Sequence, residues 1–291
     1  MKGLGPLFPF LCLVFLLVRA SLAGELSLII SPGSREVFQG GVVGIKVLGE
    51  GLSGVKAFRR GREIPFFPGG LGASYNAILG VDLEEKPGPM EVVIQAGSGS
   101  QTKVPVVLRV RKKRFTTEHL SVPASFDHFD EMTLERIRRE RRRIAQLWST
   151  ASRQRWWRGR FVVPVPGEIT SPFGLRRVIN GSPRSPHGGV DLRASLGAEV
   201  VAANYGRVVI RDEFFFSGKS IVLDHGGGLY TAYFHLSDFR VDGGSRVRKG
   251  EVIGWAGMTG RATGPHLHWG AYLNGARVDP FGLLVAFWED W

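Results

Sequence analysis

Short runs in which apolar and polar residues alternate occupy most of the chain, and they predict β-strands separated by turns. In the first part of the chain these runs are residues 26–30, 42–48, 90–95 and 103–110. Clusters of glycine and proline separate the runs. Several short strands with turn signals within about 85 residues are typical of a small β-sandwich. We therefore predict an immunoglobulin-like β-sandwich domain over residues 24–113.

Residues 114–160 are predicted to form a connector between two domains. Within it, apolar residues recur with the period of a helix and not of a strand. Thr133 is predicted to cap the helix. The apolar positions that fall on one side at 3.6 residues per turn are Leu134, Ile137, Ile144, Leu147 and Trp148. The opposite side is basic and carries Arg136, Arg138, Arg139, Arg142 and Arg143. This basic face either contacts an anionic wall or membrane, or is a solvated face of a helix packed on one domain.

Strand patterns return over residues 161–291, for which we predict a third domain with an antiparallel sheet. The predicted strands are residues 199–203, 207–210, 220–223, 229–235, 251–255 and 266–272. Residues 177–186 and 212–218 are candidate walls of a groove with a metal at its floor. Phe214, Phe215 and Phe216 either contact a substrate there or form the docking site of an inhibitory partner or of the N-terminal domain. The chain as a whole is predicted to be mainly β.

The first 23 residues have the features of a secretory signal peptide. Lys2 supplies a positive charge, residues 7–18 are apolar apart from Pro9, and Ser21-Leu22-Ala23 offers small residues for cleavage. The apolar run is shorter than the roughly 20 residues that a membrane span requires. An uncleaved anchor is the alternative. The single cysteine, Cys12, would be removed with the signal, so we expect neither disulfides nor thiolate metal ligands.

The chain is strongly basic, with a formal net charge of +12 at pH 7. Loss of Lys2 and Arg19 with the signal peptide gives 12 − 2 = +10. An exported basic protein binds nucleic acid, an anionic membrane surface or an anionic wall polymer. No nucleic-acid-binding element is recognisable, so we expect no nucleic-acid partner.

Five residues of the third domain carry the chemistry, namely His187, Asp191, His235, His266 and His268. His266 and His268 are two residues apart, so on a strand they share a face. His187 and Asp191 are four apart, and Gly188 and Gly189 disfavour a helix between them. A catalytic zinc ion usually takes three protein ligands and leaves a fourth position to water. The five residues therefore predict a hydrolytic metal site between strands, with two imidazoles to spare for proton transfer.

The third domain resembles the lysostaphin-like M23 metallopeptidases, also called the LytM family. The segments that carry the resemblance include Ser171-Pro-Phe-Gly-Leu-Arg, His187-Gly-Gly-Val-Asp191-Leu, Tyr233-Phe-His235-Leu and Gly264-Pro-His266-Leu-His268. By this resemblance His187, Asp191 and His268 would be the ligands of one Zn²⁺. His235 and His266 would be the general base and the group that stabilises the oxyanion or donates a proton, in either order. His225, which the family also carries, is interpreted as a turn-stabilising residue.

The resemblance implies a zinc endopeptidase that acts on peptidoglycan stem peptides in the periplasm or cell envelope. D-alanyl–diaminopimelate cross-links are expected as the substrate, ahead of glycine bridges. A non-catalytic envelope scaffold that activates another wall hydrolase is the alternative, and a peptidase aimed at other cells is a weaker one. For the N-terminal domain we consider four roles: it binds the cell wall, binds a partner protein, covers the active site, or is a spacer. Trp156 and Trp157 are expected to pack on the third domain rather than to stack on carbohydrate.

Overall fold

The computed structural model describes residues 16–20, 26–31, 34–70, 74–97, 102–123, 128–149 and 152–285. Within these residues the chain is mainly β-structure with a single α-helix, as the sequence predicts. That helix is not both long and apolar enough to cross a membrane. The described part of the predicted signal peptide is limited to residues 16–20, which form the first strand.

The N-terminal domain is a β-sandwich of two five-stranded sheets. Strands β1 to β10 are, in chain order, Leu16–Ala20, Leu26–Ser31, Glu36–Phe38, Val42–Leu48, Ser53–Arg59, Arg62–Pro65, Phe67–Pro68, Ser74–Gly80, Gly88–Gly97 and Thr102–Arg111. One sheet has the order β1-β2-β4-β8-β7, and the other has the order β3-β10-β9-β5-β6. Without β1, the strands follow the ABED and GFC orders of immunoglobulin domains, and β3 runs parallel to β10.

Alternation along the strands builds the core of the sandwich. In β10, Val106, Leu108 and Val110 are buried, whereas Val107 and Arg109 between them are exposed. Because successive side chains of a strand point to opposite faces, every second residue faces the other sheet. The two inner faces meet in one apolar cluster that belongs to this domain alone.

The connector contains strand β11 (Thr117–Leu120) and helix α1 (Glu131–Ser149). The prediction that Thr133 caps the helix is wrong. Asp130 is the cap, and its Oδ1 accepts a hydrogen bond of 2.6 Å from the backbone N–H of Thr133. An aspartate before the first turn satisfies an N–H group that has no partner inside the helix. The helix therefore begins before Thr133, which lies within its first turn.

The apolar side of α1 packs on the outer face of the third domain. Ile137 is buried, and Ile144, Leu147 and Trp148 pack against a cluster that includes Tyr230. Several arginines on the other side have acidic neighbours. The pairs are Arg136 with Glu140, Arg138 with Glu131 and Glu135, Arg142 with Glu135, and Arg143 with Asp212. Much of the predicted basic face is therefore neutralised within the protein.

The third domain is built on a large antiparallel sheet. Strands β12 to β23 are, in chain order, Ile169–Ser171, Arg176–Ile179, Ser182–Pro183, Gly189–Arg193, Glu199–Val201, Gly206–Phe214, Gly218–Gly226, Leu229–Phe239, Arg246–Val247, Val252–Ala256, His266–Leu273 and Ala276–Val278. The central order is β12-β15-β22-β19-β18-β17-β20, with β21 and β23 added beside β19 and β22. A 3₁₀ helix, Pro280–Leu284, follows.

A second sheet joins the connector to the third domain. Its order is β11-β13-β14, and β11 runs parallel to β13. This pairing crosses the predicted boundary at residue 161, so part of the connector belongs structurally to the third domain. The β13–β14 hairpin lies within the loop that we predicted as a groove wall.

The N-terminal and third domains share an extensive interface. Trp157 is buried and packs edge-on against Phe67 of the sandwich, with ring centroids 5.5 Å apart. Asp82 of the sandwich accepts hydrogen bonds from the backbone N, the Nε and the Nη2 of Arg277. Trp157 also belongs to the apolar cluster of the third domain, as predicted, whereas Trp156 is only half-buried.

Candidate metal centre

Strands β15 and β22, together with the segment just before β15, bring three candidate metal ligands together. Asp191 on β15 and His268 on β22 are directly opposite partners in the antiparallel register. His187 lies two residues before β15 begins. The distances are 3.0 Å from His187 Nε2 to Asp191 Oδ1, 2.9 Å from His268 Nδ1 to Asp191 Oδ1, and 2.9 Å between the two ring nitrogens.

These three atoms have the arrangement that a zinc ion requires. Zinc bonds of about 2.0–2.1 Å in a tetrahedral site place ligand atoms about 3.3 Å apart. The observed triangle has edges of 2.9–3.0 Å, and small movements of the side chains expand it to this size. Two imidazoles and one carboxylate are also a ligand set that catalytic zinc sites use. The residues therefore fit a zinc ion.

Neighbouring groups fix the orientation of the two imidazoles. The Nδ1–H of His187 donates to the carbonyl oxygen of Pro172 at 3.0 Å, which leaves the lone pair of Nε2 for a metal. The ring of His268 stacks on Phe234, with centroids 5.2 Å apart and planes 5° apart. A Cβ on Gly189 would lie 2.7 Å from His268 Nε2, so only glycine leaves room for this ring.

The electrostatics of the three side chains favour metal binding. Burial raises the pKa of Asp191, but its contacts with the His187 and His268 rings outweigh this effect and hold that pKa well below its ordinary value. Burial lowers the pKa of His268. At neutral pH the carboxylate is thus ionised and this imidazole is neutral, which are the states that coordinate a metal.

His235 and His266 lie beside the three ligand atoms. Their ring centroids are 4.7 Å apart, and His266 Nε2 is 3.9 Å from Asp191 Oδ1. Each ring donates its Nδ1–H to a backbone carbonyl at 2.9 Å, from His235 to Thr259 and from His266 to Gly264. Both rings therefore keep Nε2 for proton transfer. The structure brings all five sequence-predicted residues into one cluster, and it gives the two histidines equivalent tautomers.

Burial is the main reason that the pKa of His235 falls to about 4, against a smaller opposing effect of its hydrogen bond to Thr259. The ring is therefore neutral at physiological pH and able to accept a proton. Its backbone φ is 63°, a left-handed conformation that is rare outside glycine. The backbone N–H of His235 donates to Ser217 O, which holds the strand in this conformation.

The second predicted groove wall, residues 212–218, is covered by the connector. Phe214 is buried, and Phe215 and Phe216 pack edge-on against Phe129, with centroids 5.4 and 5.9 Å apart. The backbone N–H of Phe215 also donates to Glu140 on α1. The connector, and not the N-terminal domain that we predicted as one possible occupant, therefore packs against these phenylalanines.

His225 lies in a buried hydrogen-bonded chain away from the metal-ligand cluster. Its Nδ1–H donates to the Tyr205 carbonyl at 2.7 Å, so its neutral ring can only accept at Nε2, from the Thr231 hydroxyl at 2.7 Å. Thr231 in turn lies 2.9 Å from the Tyr233 hydroxyl. Burial lowers the pKa of His225 to about 4. These contacts agree with its interpretation as a turn-stabilising residue.

Three backbone carbonyls of the site have no sequence signal. They belong to Pro172, Thr259 and Gly264, and each receives the Nδ1–H of one histidine. Any residue type offers the same oxygen, so only the path of the chain identifies them. Gly189 and Phe234, in contrast, lie within the sequence motifs of His187 and His235. Their positions next to these histidines in the sequence could have identified them as part of the site.

The sequence is similar to those of known peptidases. The model of Peptidase family M23 matches residues 185–280. The DD-carboxypeptidase/endopeptidase Mpg of Neisseria meningitidis serogroup B is 41% identical over 117 residues, which are 40% of this chain and 27% of that protein. The peptidoglycan DD-endopeptidase ShyA of Vibrio cholerae is 36% identical over 121 residues, which are 41% of this chain and 28% of that protein. The chain thus spans little more than a quarter of these curated relatives.

A crystal structure from Pseudomonas aeruginosa, assigned to peptidase M23, is similar over a larger part of the chain. It is 31% identical, with a TM-score of 0.68, and the match covers 86% of this chain and 96% of that one. The similarity therefore includes the N-terminal sandwich and the connector as well as the domain that carries the metal-ligand cluster.

Proposed function

The chain belongs to peptidase family M23, and on this premise we propose that it is a zinc metalloendopeptidase that hydrolyses peptide cross-links of bacterial peptidoglycan. The observation that carries the proposal is the triangle of His187 Nε2, Asp191 Oδ1 and His268 Nδ1 beside two further histidines. The names of the Neisseria and Vibrio relatives support the reaction and its substrate.

We infer that one zinc ion is held by His187, Asp191 and His268. When bound, zinc polarises a carbonyl group and lowers the pKa of water. The Pro172 carbonyl holds the His187 ring with Nε2 towards the site. Phe234 and the space above Gly189 hold the His268 ring with Nδ1 towards the site. The chain therefore positions its ligand atoms before any substrate arrives.

His235 and His266 are the proton-transfer groups of this proposal. Hydrolysis of a peptide needs one group to accept a proton from the attacking water and one to stabilise negative charge at the carbonyl oxygen or donate to the leaving amine. The neutral ring of His235 suits the first role because its Nδ1–H is engaged and its Nε2 is a lone-pair acceptor. His266 has the same tautomer and suits either role.

The bond, the compartment and the contacts of the protein are further parts of the proposal. We infer that the bond is the D-alanyl–diaminopimelate cross-link, supported by the DD-endopeptidase names of the relatives. The predicted signal peptide supports secretion to the periplasm or cell envelope. Contact of the connector with an anionic wall or membrane rests on the arginines of α1, several of which already face acidic residues.

Digestion of purified peptidoglycan by the zinc-loaded protein tests the proposal. We expect mass spectrometry to show conversion of cross-linked dimers to monomers, and a chelator to stop it. His268→Ala is expected to lose bound zinc and hydrolysis together, because one of three ligand atoms disappears. The matched control is His119→Ala, an exposed histidine of β11 outside the cluster.

The possible results separate the alternatives. Hydrolysis retained in His268→Ala would overturn the assignment of the ligands. Cleavage of glycine-bridged peptidoglycan alone would overturn the proposed bond. Stoichiometric zinc without any hydrolysis would favour the scaffold alternative, which stimulation of a separate wall hydrolase by the protein would then establish.

A further inference from the structure

A cavity lies at the end of the large sheet that is remote from the metal-ligand cluster. It has a volume of about 590 Å³, and the connector, the Tyr205–Gly206 turn and the region of β20 line it. Gly206 begins β17, and Phe214 at the other end of this strand lies near Ser217, which contacts His235. Eight residue steps of a strand correspond to about 26 Å. The cavity is therefore separate from the metal-ligand cluster.

Positive charge converges on this cavity. Its lining includes Arg155, Arg158, Arg246 and Arg248 but a single carboxylate, that of Glu251. Glu251 Oε2 accepts a hydrogen bond from the backbone N–H of Arg248. Within the described parts of the chain, the guanidinium groups of Arg158, Arg246 and Arg248 form no ion pair. Guanidinium groups are well suited to bidentate hydrogen bonds with carboxylate or phosphate, so the cavity is suited to an anion.

The charges also affect one another. Burial, followed by the positive charge of Arg158, lowers the pKa of Arg155. The Arg158 guanidinium lies 5.1 Å from the centroid of the Tyr205 ring, and this contact orients it. An anion in the cavity would relieve the mutual repulsion of these groups.

An aromatic surface adjoins the guanidinium groups. The half-buried Trp156 lines the cavity, and its Nε1–H donates to Gln154 Oε1 at 3.0 Å. Its backbone N–H donates to His225 O, so both the main chain and the ring are fixed. A ring whose N–H is already engaged offers its apolar face, and the C–H groups on one face of a sugar pack well on such a surface. An inorganic anion would leave this face unused.

We propose that the cavity binds an acidic saccharide, with its carboxylate or phosphate against the arginines and its sugar ring against Trp156. A volume of about 590 Å³ lies within the range of about 300–1,000 Å³ that is usual for small-molecule sites. N-acetylmuramic acid residues of the wall carry a free carboxylate where their stem peptide has been removed, and sugars of lipid headgroups carry phosphates, so both sources share this chemistry. The inference holds whether or not the metal-ligand cluster hydrolyses peptides.

Calorimetric titration of the zinc-loaded chain with three monosaccharides tests the inference. The probes are N-acetylmuramic acid, N-acetylglucosamine 6-phosphate and neutral N-acetylglucosamine, and none contains a peptide cross-link. We expect at least one acidic sugar to bind about tenfold or more tightly than the neutral sugar, as a charged hydrogen bond predicts. The preferred acid distinguishes a wall sugar from a phosphorylated headgroup sugar.

Two variants assign the binding to this cavity. Arg246→Gln combined with Arg248→Gln is expected to weaken binding of the acidic sugar about tenfold to a hundredfold. Trp156→Leu is expected to weaken binding of each acidic sugar that the unmodified chain binds, while inorganic phosphate binds as before. Arg139→Gln, an exposed arginine of α1, is the matched control and should bind like the unmodified chain.

Several results would overturn the inference. They are equal affinity for neutral and acidic sugars, unchanged affinity in the double variant, or inorganic phosphate binding as tightly as the acidic sugars. If neither acidic sugar binds although circular dichroism shows that the chain is folded, the inference is overturned as well. Loss of peptidoglycan hydrolysis has no bearing on these results, because the titration requires no turnover.

Discussion

His235 is the residue of the metal-ligand cluster whose conformation is least typical of its residue type. Its φ of 63° costs energy in a side chain with a Cβ. The hydrogen bonds to Ser217 and Thr259 keep it there. In this conformation the centroid of the His235 ring lies 4.7 Å from that of His266 and 6.3 Å from that of His268. The strain is thus located at a group that we assign to proton transfer rather than to metal binding.

Substitution of His235 should separate catalysis from metal binding. Asparagine tolerates a left-handed backbone better than other non-glycine residues, so His235→Asn should fold. We expect this variant to keep its zinc and to lose about 10²–10⁴-fold in kcat/KM, the usual effect of removing an acid–base group. Zinc analysis and peptidoglycan digestion measure the two quantities. Loss of zinc to the level of His268→Ala would contradict the assignment.

The residues of the site could be predicted from the sequence better than their surroundings. Spacing alone placed His266 and His268 on one strand, and histidine and aspartate are few enough to be noticed. The carbonyls of Pro172 and Thr259 orient two of the rings, yet every residue has such a group. Their role depends on where loops pass, which is decided by contacts between distant parts of the chain.

At the scale of elements, the buried chain through His225 ties three parts of the sheet together. It links the Tyr205 carbonyl, β18 and β19. Protonation of the ring would remove the acceptor that the Thr231 hydroxyl uses and would place a charge in an apolar region. The folded protein therefore requires the neutral ring, and this requirement makes its stability depend on pH.

We predict that His225 lowers the stability of the protein in acid. Its pKa is about 4 in the folded chain and about 6.5 when unfolded, so the unfolded state binds the proton first. The stabilisation is complete above about pH 6.5 and is lost as pH falls towards 4, by about 3 kcal/mol. Urea unfolding at a series of pH values, with chelator present, measures it.

The comparison variant for this experiment is His225→Gln. It should be less stable at neutral pH and should show a shallower loss of unfolding free energy between about pH 6.5 and pH 4. The difference between the two slopes isolates His225 from the other histidines, which both proteins share. Parallel curves would contradict the prediction.

The elements of the sandwich and of the large sheet were predictable where one face is buried, as in β10. Strand β11 was not, since all four of its residues are exposed and no hydrophobic pattern marks it. Its hydrogen bonds come from β13, more than 50 residues later. The start of α1 was missed by a few residues because both Asp130 and Thr133 can act as caps, and propensity does not choose between them.

At the scale of the whole molecule, polar contacts couple the sandwich to the strands that carry the site. Arg277 on β23 donates to Asp82 and to Glu84 of the sandwich. Strand β23 pairs with β22, which carries His266 and His268. Hydrogen bonds from Arg277 outweigh burial and lower the pKa of Asp82, so this pair is charged at neutral pH. The domains therefore have a physical basis for unfolding together.

Arg277→Ala should uncouple the domains. Removing hydrogen bonds between charged groups at a partly buried site is expected to lower the free energy of unfolding by about 2 to 3 kcal/mol. All seven tryptophans lie at or beyond Trp148, so their fluorescence reports on the connector and third domain, whereas circular dichroism reports on every strand. Urea transitions followed by the two probes should coincide in the unmodified chain and separate in the variant.

The control for this measurement is Arg109→Ala, which removes an exposed arginine from β10 within the sandwich. Its two transitions should coincide like those of the unmodified chain. Coincident transitions in Arg277→Ala would show that the apolar contacts around Trp157 and Phe67 couple the domains without this arginine.

The pairing of β11 with β13 has a consequence for the exchange of parts between proteins of this kind. A recombination point at residue 161 would leave β11 and α1 attached to the wrong partner and would separate β11 from the β13–β14 hairpin with which it forms a sheet. A point just after Arg111, where β10 ends, would leave both elements with the sheet that they cover. The segment that has to be exchanged as a unit is therefore longer than the stretch that carries the recognisable motifs. A chimaera joined at residue 161 would contain the candidate metal ligands but would lack the strand and the helix that pack on their domain.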